Sequence, residues 1–185
     1  MNRTSNIVLL YGSIAGLIVA VPMVALMVTL TAETAPDNGA LYGYLTMIVA
    51  LTAVFLGVKH YRDKVLGGAV RFVPALLVGL AISAVASVIY ALGWEISLAL
   101  TGFDVPAVYM REMLEGARAR GASPSEIDSI TRQAESFARL YANPLYRLPI
   151  TFVEMFPIGA AIALFSAALL RNSRFLPARG QRSPS

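Results

Sequence analysis

Residues 72–94 read FVPALLVGLAISAVASVIYALGW, and none of these 23 side chains carries a charge. Wound as a helix, the stretch is about 34 Å long, enough to cross a hydrocarbon core of about 30 Å. Three more windows share the property: Thr4–Ala32, Asn38–Val58 and Met155–Leu170, of 29, 21 and 16 residues. Together the four hold 89 of 185 residues, in a chain that is 57% apolar and 14% charged. A soluble domain carries about 25% charge. Four uncharged windows in so short a chain exclude an ordinary soluble globular enzyme and predict an all-α, polytopic membrane protein.

The residues that are missing narrow the chemistry further. There is no cysteine, which removes disulfide frameworks, thiolate nucleophiles, iron–sulfur clusters and cysteine-ligated zinc. The single histidine, His60, removes paired-histidine metal sites and bis-histidine haem ligation. No stretch reads as a phosphate-cradling loop, a dinucleotide fingerprint or a nucleophile elbow. No metal, no cofactor and no enzymatic activity are expected. The net charge of +4 and pI near 9.6 belong to membrane topology rather than to nucleic-acid binding, because the basic residues fall where topology needs them.

Along the chain, Ile7–Leu30 forms the first span, too long for a signal-peptide core, with a bend expected at Pro22. A loop follows over Thr31–Gly39, carrying Glu33 and Asp37 among the turn formers Pro36, Asn38 and Gly39. The second span, Ala40–Val58, opens with Tyr42 and Tyr44 at the membrane interface and ends abruptly at Lys59-His60-Tyr61-Arg62-Asp63-Lys64. Gly67-Gly68 and Arg71 complete that loop, and the third span runs from Phe72 to Trp94. Residues 95–147 hold 13 charges of mixed sign and cannot cross a bilayer. There the expectation is a helical hairpin: one helix from Pro106 to Arg120, stopped by Gly121, and a second opened by Ser123-Pro124-Ser125-Glu126. Ser123 would accept from the Glu126 amide while the Glu126 carboxylate reaches back, a capping box. Ile127, Ile130, Ala134, Phe137 and Tyr141 then give the second helix one apolar face, which is expected to cap the bundle. The fourth span is Leu148–Leu170, and residues 175–185 are expected to be a disordered tail.

Orientation follows from counting. The N-terminus, the 59–71 loop and the C-terminal tail together hold nine basic residues and one acid, Asp63. The opposite side holds six basic residues and ten acids. The positive-inside rule therefore predicts cytoplasmic termini and a hairpin outside.

Two carboxylates stand out. Glu154 falls about one turn inside the hydrocarbon if the fourth span is counted back from Leu170, and Glu95 lies just beyond the core beside Trp94. A carboxylate at such a depth costs a few kcal/mol unless it is paired, hydrated or protonated. Two readings are open: Glu154 with Glu95 as an ion, proton or partner site, or Glu154 as a packing residue bonded to a neighbouring helix or to Arg147, two turns back. Lys59, Arg62, Lys64 and Arg71 are candidate contacts for anionic lipid headgroups at the cytoplasmic face. Small residues recur at four-residue steps in Gly12/Gly16/Ala20, Gly39/Gly43, Ala75/Gly79/Ser83/Ser87 and Gly159/Ala163/Ala167. They serve packing inside one bundle or, through Gly12/Gly16, a homo-oligomer.

The order of these features resembles a bacterial four-helix integral membrane family catalogued as a domain of unknown function, number 4199. The resemblance rests on Phe55-Leu56-Gly57-Val58-Lys59-His60-Tyr61-Arg62-Asp63-Lys64 and on Trp94-Glu95. Gly121-Ala122-Ser123 with Glu126, Asn143-Pro144-Leu145, and Glu154-Met155-Phe156-Pro157-Ile158-Gly159 add to it. It implies the fold, the four-span topology and a home in the bacterial inner membrane, and it implies no activity. The function expected is a non-enzymatic structural or accessory one, working through the bilayer or a membrane partner. The alternative is a small transporter or channel using Glu154 with Glu95.

Overall fold

The computed structural model describes residues 2–29 and 39–178. Six α-helices follow in order: α1 (Arg3–Thr29), α2 (Gly39–His60), α3 (Phe72–Thr101), α4 (Val105–Ala119), α5 (Pro124–Tyr141) and α6 (Pro144–Leu170). A π-helical turn, Tyr61–Val65, extends α2. Helix α1, α2 with its π turn, α3 and α6 are each long and apolar enough to cross a membrane. They form a four-helix bundle in which α3 packs along both α1 and α6, while α2 closes the other side against the same two helices.

The core is built from Leu51, Val54 and Val58 of α2, Ile82 of α3, and Met155 and Ala163 of α6, all withdrawn from the surface. Equally large apolar side chains point outward: Val49 is 63% exposed, Leu77 60% and Phe165 67%. In water such a surface would cost about 25 cal/mol for every Å² left wet. Against lipid tails it costs nothing, and the helices meet all internal backbone hydrogen bonds themselves. The outward apolar faces make this a multi-pass membrane fold.

Glycine decides how closely the helices approach. A β-carbon on Gly12 would lie 2.6 Å from Val85 Cβ, and one on Gly16 2.7 Å from Ile89 Cβ, so α1 seats on α3 through these two positions. Gly93 returns the contact against Ala20 of α1. Gly79 meets Ala163, and Gly159 meets Ser83, which brings α3 and α6 together in the same way. The Gly12/Gly16 stripe is therefore occupied within the bundle and is not free to join a second copy. Of the stripes named in the sequence, Gly43 faces open space.

Several boundaries move. Helix α3 continues two turns past Trp94 to Thr101, because the charge at Glu95 does not stop a helix. Gly102 ends it in a left-handed conformation (φ +62°), its N–H donating to Leu98 C=O at 2.9 Å. Helix α6 starts at Pro144, four residues before the expected span, capped by Asn143 Oδ1 accepting from Leu145 N–H at 3.0 Å. Helix α1 runs through Pro22 as one element. The loop expected over Thr31–Gly39 lies outside the described residues except for Gly39, as do the interfacial place of Tyr42 and the tail beyond residue 178.

The hairpin exists, with one change in its cap and one in its packing. Ser123 Oγ accepts from Glu126 N–H at 3.3 Å, but the Glu126 carboxylate turns to Arg120 Nη2 at 2.8 Å instead of reaching back. The apolar faces of α4 and α5 pack mainly on each other, and among the described residues only Tyr141, at the end of the α5 face, reaches the bundle, through Trp94. Tyr109 and Phe137 meet at 5.1 Å between ring centres, and Ala117, Ile130 and Ala134 are buried between the two helices. The bundle holds the hairpin at its base, where α5 runs into α6.

Candidate functional site

At the base of the hairpin three helices converge. Trp94 and Glu95 come from α3, Tyr141 from the last turn of α5, and Arg147 from the first turns of α6. Asn143-Pro144 forces this meeting: proline cannot continue α5, and asparagine caps the helix that follows. Arg147 grips Glu95 through two parallel bonds, Nε to Oε1 at 2.9 Å and Nη2 to Oε2 at 2.6 Å. Its Nη1 donates to Tyr141 C=O at 2.8 Å, and its guanidinium carbon lies 5.5 Å from the centre of the Tyr141 ring. Trp94 Nε1–H donates to the Tyr141 hydroxyl at 2.9 Å. Burial raises the pKa of that hydroxyl above the ordinary tyrosine value, against the opposing pull of the Trp94 bond and of Arg147.

Beside this cluster is an open groove of about 600 Å³ between the end of α3, the start of α4 and the end of α5. Glu95, Phe103, Asp104, Tyr141 and Arg147 contribute to its wall. Asp104 is committed to capping α4, where its Oδ1 accepts from Ala107 N–H at 3.0 Å.

Glu154 takes a separate partner. Tyr90, buried on α3, donates its hydroxyl to Glu154 Oε2 at 3.2 Å, and the carboxylate is otherwise exposed on the flank of α6. The salt bridge from Arg147 to Glu154 does not form. Seven residues along a helix separate them by about 10 Å, while Glu95 lies across the helix contact within direct reach. Glu95 and Glu154 thus sit on neighbouring helices, but each is engaged by a different group. One turn below Tyr90, the buried Ser87 hydroxyl has no hydrogen-bond partner among the described residues. Nor do the described residues bring together three metal-ligating side chains of the His, Asp or Glu type.

At the opposite end the basic residues divide. Lys64 and Arg71 are exposed. Lys59 pairs with Asp63 Oδ2. Arg62 is fully buried, against its expected place among the headgroups. It donates from Nε to Asp63 Oδ1 at 2.7 Å, from Nη1 to Phe175 C=O at 2.8 Å and from Nη2 to Leu176 C=O at 2.5 Å. The segment expected to be disordered from residue 175 is thus pinned at its first two residues. No sequence signal marked this contact, which joins residues more than a hundred apart. His60 accepts or donates at Nδ1 with the Tyr11 hydroxyl at 3.1 Å, tying α2 to α1.

A family model described as a protein of unknown function, DUF4199, matches residues 10–172. The chain belongs to the DUF4199 family. No curated protein and no solved structure matches it. The match runs from the middle of the first turns of α1 to the residue after Arg171, so the DUF4199 unit comprises the four spans together with the hairpin. The Arg147–Glu95 clamp and the Tyr90–Glu154 pair are both parts of that unit.

Proposed function

We propose that this DUF4199 protein is a non-enzymatic, structural or accessory component of a bacterial inner membrane. Its termini lie in the cytoplasm, and its hairpin stands outside as a rigid arm offered to another membrane component. The observation that carries this reading is the Arg147–Glu95 clamp. Both of its charges are consumed in fixing the arm to α3 and α6, which leaves Glu95 unavailable as the second carboxylate of a transport site. A bidentate, charge-assisted pair is among the strongest polar contacts a partly buried site can hold. It belongs to a joint that must not move.

A second reading, a small ion or proton transporter, draws on the Tyr90–Glu154 pair and the unpartnered Ser87 hydroxyl one turn deeper. Reconstitution into liposomes separates the two. The purified chain and its Glu154→Gln variant are tested for proton, sodium and potassium leak with ion-sensitive dyes under an imposed gradient. The accessory reading expects both to match protein-free liposomes. A flux in the wild type that Glu154→Gln abolishes would overturn it and establish the transporter.

A further inference from the structure

The contact between Arg62 and the segment after α6 has a composition that a purely structural ion pair does not need. Lys59 and Arg62 share one carboxylate, that of Asp63, so the cluster keeps one positive charge in excess at a fully buried guanidinium. The rest of the guanidinium's bonding falls to two successive backbone carbonyls, Phe175 and Leu176, which are neutral. Charge-assisted acceptors bind a guanidinium more tightly than neutral ones, and phosphate oxygens fit its planar fork. To present both carbonyls the chain adopts an unfavourable backbone: Leu176 has φ +46°, the left-handed region, and is the non-glycine residue found there among the described residues. The segment has no helix or strand of its own to hold it. Lys64 and Arg71, both exposed, flank the same end of the bundle and raise the local concentration of anions.

We propose that Arg62 is a phosphate-binding site, and that the Phe175–Leu176 segment is its built-in, displaceable occupant. When the phosphate of an anionic lipid headgroup reaches Arg62, it replaces the two carbonyls, supplies the missing negative charge and releases the C-terminal segment from the bundle. This goes beyond the accessory role and does not depend on it, since the cluster stands at the far end of the spans from the hairpin.

The chain has no cysteine, so Leu66→Cys with Ala178→Cys gives a clean pair of spin-label sites on the full-length protein. Distances are read in nanodiscs of phosphatidylcholine alone and of phosphatidylcholine with phosphatidylglycerol in equal parts. The expected result is one compact distance in the neutral bilayer, and its progressive loss to a broad, longer distribution as phosphatidylglycerol is added. Inorganic phosphate added to the neutral nanodiscs distinguishes the source: release there assigns the site to free phosphate, whereas release by phosphatidylglycerol alone assigns it to the lipid. Identical distances under all three conditions overturn the proposal. A chain ending at Arg174 provides an independent reading that leaves Arg62 intact. It should retain more phosphatidylglycerol through detergent purification than the full chain, by native mass spectrometry, and equal retention overturns the idea of a competing occupant.

Discussion

Arg147 and Glu95, 52 residues apart in sequence, meet fork to fork, with Nε to Oε1 at 2.9 Å and Nη2 to Oε2 at 2.6 Å. The pair ties the start of α6 to α3 at the residue after Trp94, and Nη1 of the same arginine donates to Tyr141 C=O, the last carbonyl of α5. One side chain therefore fixes three helices and sets where the hairpin leaves the bundle.

Replacing Arg147 by Ala should loosen that joint while sparing the bundle. Both side chains keep modest contact with solvent, 15% and 22% exposed, so the pair ranks between an exposed and a buried one. The coupling between Arg147→Ala and Glu95→Ala in a double-mutant cycle should be about 1–2 kcal/mol. Hydrogen exchange should accelerate in α5 and the first turns of α6, and remain slow around Gly12, Gly16 and Gly79. Equal acceleration through α1 and α3 would mean that the clamp supports the whole fold rather than the hairpin.

The glycines give a sharper contrast. Gly159→Ala places a β-carbon 2.7 Å from Ser83 Cβ, and Gly12→Ala places one 2.6 Å from Val85 Cβ. Each should lower stability by about 1–3 kcal/mol through overpacking. Gly43→Ala meets nothing within 4 Å and should be neutral or stabilising by up to about 1 kcal/mol, since alanine is the better helix former. Thermal unfolding of the three variants in one detergent checks the order. A loss at Gly43 as large as at Gly12 would place a further contact on that face.

How much of this was legible beforehand varies with the range of the forces involved. The spans could be read because a charge inside hydrocarbon is costly wherever it falls, so the uncharged windows mark them without any knowledge of packing. The hairpin cap at Ser123 is local and could also be read, whereas the Asn143 cap that starts α6 ahead of the expected span was not. Partner choice could not. Arg147 shares a helix with Glu154, yet helix rise separates them, and only the path of α3 brings Glu95 within reach. Arg62 looked like one of four equivalent cations at a membrane edge. Its burial depends on a π turn that redirects the end of α2 and on a carbonyl pair beyond residue 174. Neither feature has a sequence period.

Tyr90→Phe isolates the pair at Glu154. The hydroxyl is the donor to Oε2 at 3.2 Å, and its removal leaves the carboxylate without that bond on the flank of a membrane-crossing helix. Stability should fall by about 0.5–1.5 kcal/mol. Glu154→Gln keeps an acceptor for Tyr90 and removes the charge, so it should be neutral or stabilising in a bilayer, where an ionised side chain is expensive. Reversible unfolding in bicelles reads both variants. A Glu154→Gln variant less stable than Tyr90→Phe would show that the negative charge itself is needed, and would direct attention to a bound cation.

The orientation can be tested on the same cysteine-free background. Ser125→Cys lies in the first turn of α5, and Lys64→Cys in the π turn that extends α2; both positions are exposed. The charge count puts nine basic residues and a single acid on the Lys64 side, a bias strong enough to fix insertion for loops this short. A membrane-impermeant maleimide added to intact cells should label Ser125→Cys at once and should label Lys64→Cys only after the membrane is permeabilised. The opposite pattern would invert the topology. It would then place the Arg62 cluster on the outer face, away from the leaflet whose negative potential draws cationic side chains.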